Sequence, residues 1–426
     1  MNNLKTLLLI GAAVLATSAD ASTWTKTIKV DNTVDHVRKD VPVVVTLTGK
    51  KTVSSVLVYK LSADGTRTEV PCQTDDLDAD DVADELCFLA DLGPNEHARY
   101  ELLLSDESQQ KTYPARVYAE MLVRNDKVKE KNRHNNYLES ITARGDCANS
   151  YNVQHHHGVC FESELNGIRI YFDKRQTLDL YGKHRHRLEL QQTQFYPSDQ
   201  QKAEGYGDDV LWVGQTFGLG AFRGWDGQAP TMIEPVRSRT QRVVSYGPLR
   251  TIVEIVDRGW QPTPSAKPIT LTIRYTQYAG HRDTDVDVFF SRDVSQEQFS
   301  TGIIAIEGAQ LFSDQMGLRG CWGADFPGTD TVKFSRETLG MGIWLPKEYL
   351  TEERAAETDD KGLPVKGSNL TFVVNTKMRH LRYRVAYCYL GEENGPKSAE
   401  EWFEWLRRWK DEAERSADFA NKRLKL

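Results

Sequence analysis

The residues best able to do chemistry crowd into one stretch. His155-His156-His157-Gly158-Val159-Cys160-Phe161-Glu162-Ser163-Glu164 runs on through Gly167-Ile168-Arg169-Ile170-Tyr171-Phe172-Asp173. Imidazole titrates close to neutral pH, so His156 and His157 are candidate bases. Arg169 can grip a carboxylate with its two-pronged guanidinium, and Tyr171 can return a proton. Glu162 and Glu164 form a separate candidate pair, because two carboxyl groups with displaced pKa values can act as acid and base on a glycosidic bond. At positions i and i+2 of a strand their carboxyl groups would stand roughly 6–7 Å apart.

Further candidates lie downstream. Arg237 and Arg239 alternate with Ser238 and so point the same way, a local positive stripe. Lys183, His184 and His186 follow Tyr181-Gly182 after a turn, and His281-Arg282-Asp283 sits at an expected hairpin tip. Trp212 and Trp225 could stack on a sugar ring. Each has a plainer reading beside the functional one: exposed polar loops for the histidines, ion pairs for the arginines and core packing for the tryptophans. Turn chemistry accounts for Gly280 and Asp283 but not for His281. The glycine-rich stretch 214–227 lacks both the P-loop ending and a dinucleotide-binding setting, which leaves a loop at a groove rim. No G-x-S-x-G elbow is present, against a serine hydrolase.

The elements that must position these groups read as strands. Over 167–173 the pattern alternates strictly, with Ile168, Ile170 and Phe172 on one face and Arg169, Tyr171 and Asp173 on the other. This is a half-buried strand with a polar working face. Glu162 and Glu164 have the opposite parity, and a bulge at Asn166-Gly167 would bring all four polar groups to one side. Residues 22–112 read as a small N-terminal β-sandwich domain, with short alternating runs over 28–30, 41–47, 53–59 and 100–104. A polar connector spans 113–150. From 151 to 395 strands recur between Gly, Pro, Asn and Asp, among them 187–192, 210–214, 236–244, 269–278, 284–290 and 381–390, as in a large antiparallel β-sandwich. The segment 396–426 holds one helix, opened by the capping box Ser398-Ala399-Glu400-Glu401. The face Trp402, Trp405, Leu406 and Trp409 would dock it. The fold class is therefore all-β with one C-terminal helix.

Composition narrows the partners. The chain has 426 residues, 27% of them charged, and a net charge of −7; this disfavours a nucleic-acid or anionic-membrane surface and makes any anion site local. Lys5, the apolar run 7–16 and Ala19-Asp20-Ala21 read as a signal peptide over 1–21. The expected product is a soluble exported protein, periplasmic in a Gram-negative cell. Six cysteines in an exported chain suggest disulfides, with neighbours pairing as Cys72–Cys87, Cys147–Cys160 and Cys321–Cys388. No cofactor is required by any motif. Asp76, Asp78 and Asp80 begin like a calcium loop that continues to Asp84-Glu85. Asp81 stands where glycine is expected, however, and Cys87 where a bidentate Glu belongs, which favours a solvated acidic loop.

Several blocks together resemble one family. They are His156-His157-Gly158 with Phe161-Glu162-Ser163-Glu164, Arg169-Ile170-Tyr171-Phe172-Asp173, Asp179-Leu180-Tyr181-Gly182-Lys183, and Gly207-Asp208-Asp209-Val210-Leu211. Gly218-Leu219-Gly220, Gly224-Trp225-Asp226-Gly227 and Tyr278-Ala279-Gly280-His281-Arg282-Asp283 follow. The chain is identified as a member of domain-of-unknown-function family 4861, found in exported proteins of Bacteroidota polysaccharide-utilisation loci. The resemblance implies a sandwich similar to the galactose-mutarotase and polysaccharide-lyase supersandwich, and a role in glycan breakdown. Some members look like enzymes that eliminate water from terminal uronic acids. On that basis the expected activity is β-elimination on acidic oligosaccharides, as a dehydratase or a lyase. His157 would be the base, Tyr171 or His281 the proton donor, and Arg169 with Arg239 would grip the carboxylate, with His156 a further catalytic candidate. Arg169, Arg237, Arg239, Lys183, Asp209 and Trp225 would line the substrate. A glycoside hydrolase using Glu162 and Glu164, and a non-catalytic glycan-binding protein, are the alternatives.

Overall fold

The computed structural model describes residues 22–416 and 422–425, apart from 50–51, 108–110, 131 and 146–149. The expected signal peptide, 1–21, lies outside them. The all-β expectation holds: five sheets, nearly all antiparallel, with one long helix near the C-terminus.

The first seven strands pack as two four-stranded sheets around their own apolar core. Thr23–Asp31, His97–Ser105, Ser55–Leu61 and Arg67–Val70 form one sheet, and Arg38–Thr48, Glu85–Leu92 and Cys72–Asp75 lie in the other. The fourth strand of that second sheet is Lys422–Lys425, which pairs parallel to Arg38–Thr48.

The remaining strands build a larger sandwich. One layer is a nine-stranded antiparallel sheet running from Gln310–Ser313 at one edge to Ser140–Arg144 at the other. Two five-stranded sheets cover one of its faces. The first contains Val117–Glu120, Gly158–Ser163, Gly167–Tyr171, Leu178–Gly182 and Asp208–Asp209; the second is centred on Phe299–Ile304. Phe161, Ile168, Ile170 and Leu180 from the first share a single core with Phe299 and Phe372 from the second and with Val253, Ile273 and Tyr383 from the long sheet. Their alternation along each strand is what sends the intervening polar residues outward.

Two elements cover the opposite face of the long sheet. The N-terminal strands attach through Arg250, which donates from Nε to Asp75 (2.8 Å) and from Nη2 to Glu85 (2.8 Å). Glu85, at the end of the acidic stretch, is thus an ion-pair partner of the long sheet. The helix Ala399–Ser416 docks through Trp402, Leu406 and Trp409 onto Leu318, Trp344 and Cys388, as its tryptophan stripe predicts. Gly320, Gly340 and Gly342 pave the strands beneath it. A Cβ on any of the three would collide with Leu406 or Trp402. Ser398 Oγ accepts from Glu401 N (3.2 Å), while the Glu401 carboxylate reaches one residue further back, to Lys397 N (2.7 Å).

Three expectations need correction. Residues 210–214 are irregular, although Val210, Leu211 and Val213 are buried in the core. Part of 187–192 is helical, in Leu190–Thr193. The third concerns the disulfides. Cys72 is opposite Phe88 and Cys87 opposite Gln73, so the two thiols face opposite sides of their sheet. Cys321 and Cys388 are likewise split between the two faces of the long sheet. All four are buried free thiols, as is Cys160; the partner proposed for Cys160, Cys147, lies outside the described residues. Residues adjacent in sequence or in register need not share a face, and a disulfide requires that they do.

The glycine floor under the helix gives a stability prediction. Gly342→Ala pushes against Leu406 and should destabilise the fold by about 1–3 kcal/mol. Urea unfolding would read this, with an unchanged m-value showing that the loss is native-state strain rather than a new denatured state.

Candidate functional site

Strand register decides which polar groups meet. Across the first five-stranded sheet Glu120 is opposite Cys160, Cys160 opposite Arg169 and Arg169 opposite Asp179, so one row of side chains stands on the outer face. The chain does not bulge at Asn166-Gly167. It turns there as a hairpin, with Glu162 opposite Gly167. Glu162 therefore shares the face of Arg169, and Glu164 sits in the turn, where it accepts from Arg116 Nε (2.6 Å) and Gly280 N (2.8 Å). The two glutamates do not face a common space.

Arg169 is the centre of the row. Nη2 donates to Asp179 Oδ2 (2.5 Å), Asp209 Oδ2 (2.9 Å) and the Tyr171 hydroxyl (3.0 Å); Nη1 donates to the Tyr196 hydroxyl (2.8 Å). The guanidinium also lies 4.2 Å from the Phe195 ring centre. Burial works against its charge, but Tyr171, Asp179, Tyr196 and Asp209 outweigh that and hold its pKa well above the ordinary value. Tyr171 in turn donates to Asp179 Oδ2 (2.7 Å). Burial raises the phenol well above its usual range despite Arg169, so Tyr171 holds its proton. Burial, reinforced by the charge of Asp179, likewise raises Asp209, which keeps a proton where an ordinary carboxyl has lost it. Its side chain still reaches solvent, with 18% of its surface exposed.

His157 and Arg175 flank the phenol. The His157 ring centre is 6.3 Å from that of Tyr171, and the Arg175 guanidinium is 4.8 Å from it. Arg175 also pairs with Asp173 (2.6 Å). Backbone strain gathers here. His157, Gln176, Gln194 and Phe195 all have φ between 45° and 69°, a region that costs a non-glycine residue energy and persists where surroundings impose it.

Behind this surface lies a sealed layer. His156 is fully buried, with Nδ1 2.7 Å from Gly158 O and Nε2 3.2 Å from Glu120 Oε1. A carbonyl only accepts, so Nδ1 carries the proton and Nε2 receives one from Glu120. The shifts agree. Burial lowers His156 to about 3 and raises Glu120 to about 8, leaving a neutral imidazole against a neutral carboxyl. His156 therefore orients its neighbour rather than reaching a ligand. Glu162 and Lys183 are equally enclosed. Lys183 Nζ donates to Glu162 (2.5 Å), while Glu162 accepts from the amides of Glu189 (2.9 Å) and Leu190 (2.8 Å). That grip on the start of Leu190–Thr193 fixes the segment that carries Phe195 and Tyr196, and it is why 187–192 does not continue as a strand.

The other sequence candidates are dispersed. Arg239 is on the inner layer, donating to Asp257 (2.7 Å) and Ile233 O (2.5 Å), while its alternate neighbour Gln241 bonds Ile170 O. It lies on the far side of the sheet from Arg169, so the two cannot grip one carboxylate. Arg237 is exposed, and Trp225 is buried beneath Arg354. His281 pairs with Asp283 (3.0 Å) and Asp40 O (2.8 Å) in a cleft that Arg384 and Trp409 also line, away from Arg169. Asp76, Asp78 and Asp84 bring ligand atoms within 4.8 Å of one another, with Asp84 in the place expected of Asp80. The carboxylate of Asp76 is already taken by the amides of Ala79 and Asp81. Of the groups that sequence reasoning passed over, Asp179 was readable as the lone acid between Leu178 and Leu180. Tyr196 and Arg175 carried no comparable signal.

The family model described as a domain of unknown function (DUF4861) matches residues 30–417. No curated protein matches the chain. Among solved structures, it is similar to an alpha-mannosidase from Enterococcus faecalis V583, with 9% identity, TM-score 0.43, and coverage of 91% of this chain and 45% of that one. A protein in the glycosyl hydrolase family 38 from Enterococcus faecalis is matched at 10% identity, TM-score 0.42, with 91% and 46% covered. The chain thus spans less than half the length of either.

The buried His156–Glu120 pair makes a pH prediction. Glu120 is raised in the fold from 4.5 to about 8. Its contribution is therefore complete below pH 4.5 and declines as pH rises towards 8. Glu120→Gln removes that decline, so the stability of the variant relative to wild type should improve steadily across this window. His156, lowered to about 3, acts oppositely and confines its loss to the acid side, below its ordinary value of 6.5. Denaturant melts at stepped pH values would separate the two limbs.

Proposed function

The chain belongs to the DUF4861 family, and we propose that it is a carbohydrate-active enzyme that performs β-elimination on the uronic acid of an acidic oligosaccharide. The observation that carries this reading is the Tyr171 hydroxyl. It is a protonated phenol between Arg169 and Asp179, with His157 and the protonated Asp209 on the same side.

The chemistry needs three things: neutralisation of the substrate carboxylate, a base for the α-proton and an acid for the departing oxygen. His157 takes the proton from the carbon beside the carboxylate. The electron pair forms the new carbon–carbon double bond and the C–O bond opposite breaks. Tyr171 protonates the leaving oxygen, which departs as water from a chain end or as a sugar hydroxyl from within a chain, and Asp179 receives the Tyr171 hydrogen bond that orients the donor. Arg175, at the rim, faces the carboxylate. Arg169 is enclosed by its own partners and is a positioning residue.

A second reading, glycosidic hydrolysis, draws on Asp209 as the acid in place of the Glu162/Glu164 pair. A third is carbohydrate binding without turnover. Incubation with uronate-containing oligosaccharides distinguishes all three. Elimination produces the ultraviolet absorbance of a conjugated unsaturated uronate, hydrolysis raises reducing ends alone, and binding does neither.

Two variants test the roles. Tyr171→Phe should lower kcat by roughly 10²–10⁴-fold, the usual worth of a general acid, with KM and circular dichroism little changed. His157→Gly should lose turnover while stability holds or rises by up to about 1 kcal/mol, because glycine relieves the left-handed backbone. Full activity in either variant would remove that residue from the mechanism.

A further inference from the structure

His281 stands where the N-terminal strands meet the large sandwich. Its Nε2 is 2.8 Å from the carbonyl oxygen of Asp40, and its Nδ1 is 3.0 Å from Asp283 Oδ1. A carbonyl and an ionised carboxylate only accept hydrogen bonds. A neutral imidazole carries one proton and answers one of them, leaving a lone pair against the other. The imidazolium, with a proton on each nitrogen, satisfies both. Burial works against charge on Asp283, but His281 and Arg384 hold its carboxyl well below the usual range. Burial also opposes charge on the ring. Asp283 and the Asp40 carbonyl outweigh that, with Arg384 in opposition, so the pKa of His281 is raised.

Asp40 is shaped for the contact. It lies where the strand Arg38–Thr48 slips in register against Glu85–Leu92. Its φ of 52° is a left-handed value that persists in a non-glycine residue where the surroundings impose it. Irregularities of this kind re-aim polar groups. Here the amide donates to Asp91 Oδ1 (3.0 Å), the carboxylate accepts twice from Arg116 (2.6 and 2.9 Å), and the carbonyl faces His281. Gly280 leaves room for that carboxylate, since a Cβ there would collide with it. The turn itself is anchored on the sandwich side. The His281 carbonyl accepts from Ser163 Oγ (2.7 Å) and Gln277 Nε2 (2.8 Å), and Asn166 Nδ2 donates to Arg282 O (2.7 Å).

Other charges face the ring from each neighbouring element. The long sheet supplies Asp285 and Arg384, paired at 2.6 Å. His36 and Arg38 come from the N-terminal segment and Arg408 and Glu412 from the helix, with Glu412 3.4 Å from His36 and 3.8 Å from Arg38. Arg282 is paired with Glu392 (2.8 Å), and Glu164 of the hairpin with Arg116 (2.6 Å). Asp285, raised to about 6 by burial, changes charge below the range in which His281 loses its proton. His36 is a second imidazole in the same cleft, so the two must be told apart by substitution.

We propose that His281 is a protonation-dependent clasp: as imidazolium it joins the N-terminal strands to the 280–283 turn, and on losing its proton it releases the Asp40 carbonyl. The folded value lies above the ordinary 6.5, so the clasp is complete below pH 6.5 and is lost as pH rises through the folded midpoint. The neighbouring attachment, Arg250 on Asp75 and Glu85, contains no imidazole. Release therefore loosens one end of the interface and leaves the other tied.

Two measurements on the full chain test this. Histidine-selective nitrogen-15 NMR should show both ring nitrogens of His281 protonated at pH 6 and a midpoint above 6.5, its signals identified by their absence from His281→Gln. Asp283→Asn should bring that midpoint down. Hydrogen exchange of the amides over 38–44, corrected for intrinsic rates, should lose about tenfold in protection across the same midpoint, the worth of one hydrogen bond. His281→Gln should show no such step, and His36→Gln should keep it. A midpoint at or below 6.5, a ring nitrogen unprotonated at pH 6, or a step that persists in His281→Gln would overturn the clasp. Should His281→Gln fail to fold, the imidazole whose midpoint falls in Asp283→Asn identifies the signal, and no imidazole moving in that variant would count against the proposal.

Discussion

The candidate site depends on one buried guanidinium. Arg169 is held on a strand whose other face is apolar, so it cannot turn away from the two carboxylates and two phenols around it. One positive charge does not neutralise two carboxylates in a poorly solvated place. Burial and the charge of Asp179 answer the imbalance by raising the pKa of Asp209 against the pull of Arg169. Breaking the cluster would leave buried charge uncompensated, typically a loss of about 3–5 kcal/mol. Structure and chemistry are therefore coupled through a single side chain.

Support for that cation comes from a layer without direct access to a ligand. The fully buried Lys183–Glu162 pair fastens the start of Leu190–Thr193, which brings Phe195 onto the guanidinium and Tyr196 into its hydrogen-bond shell. The neutral His156–Glu120 pair fixes the backbone that presents His157 in a left-handed conformation. Residues of catalytic type are used here for rigidity. Their burial is what separates them from the residues at the surface, since a general base must reach its proton.

The opposite face of the long sheet follows a different logic. Its helix rests on Gly320, Gly340 and Gly342, which let Trp402 and Leu406 approach the strands closely. The N-terminal strands are tied by Arg250 to Asp75 and Glu85. Where these two attachments meet, apolar contact gives way to arginines, and a cleft of about 670 Å³ forms there.

The sequence by itself determined what alternation can determine. The all-β class, the docked tryptophan helix and the polar face carrying Arg169 and Tyr171 all follow from the spacing of apolar residues along single elements. Period and parity are local, so they survive without a partner strand. Which faces are adjacent was decided only by tertiary structure. Glu162 and Glu164 were separated by a hairpin turn rather than aligned by a bulge, Arg239 was sent to the inner layer, His281 was placed in another cleft, and Cys72 and Cys87 were turned to opposite sides of one sheet. Each of these outcomes is a matter of strand register and sheet packing, in which a shift of one residue reverses every side chain. Nothing in a residue's own neighbourhood in the chain carries that information.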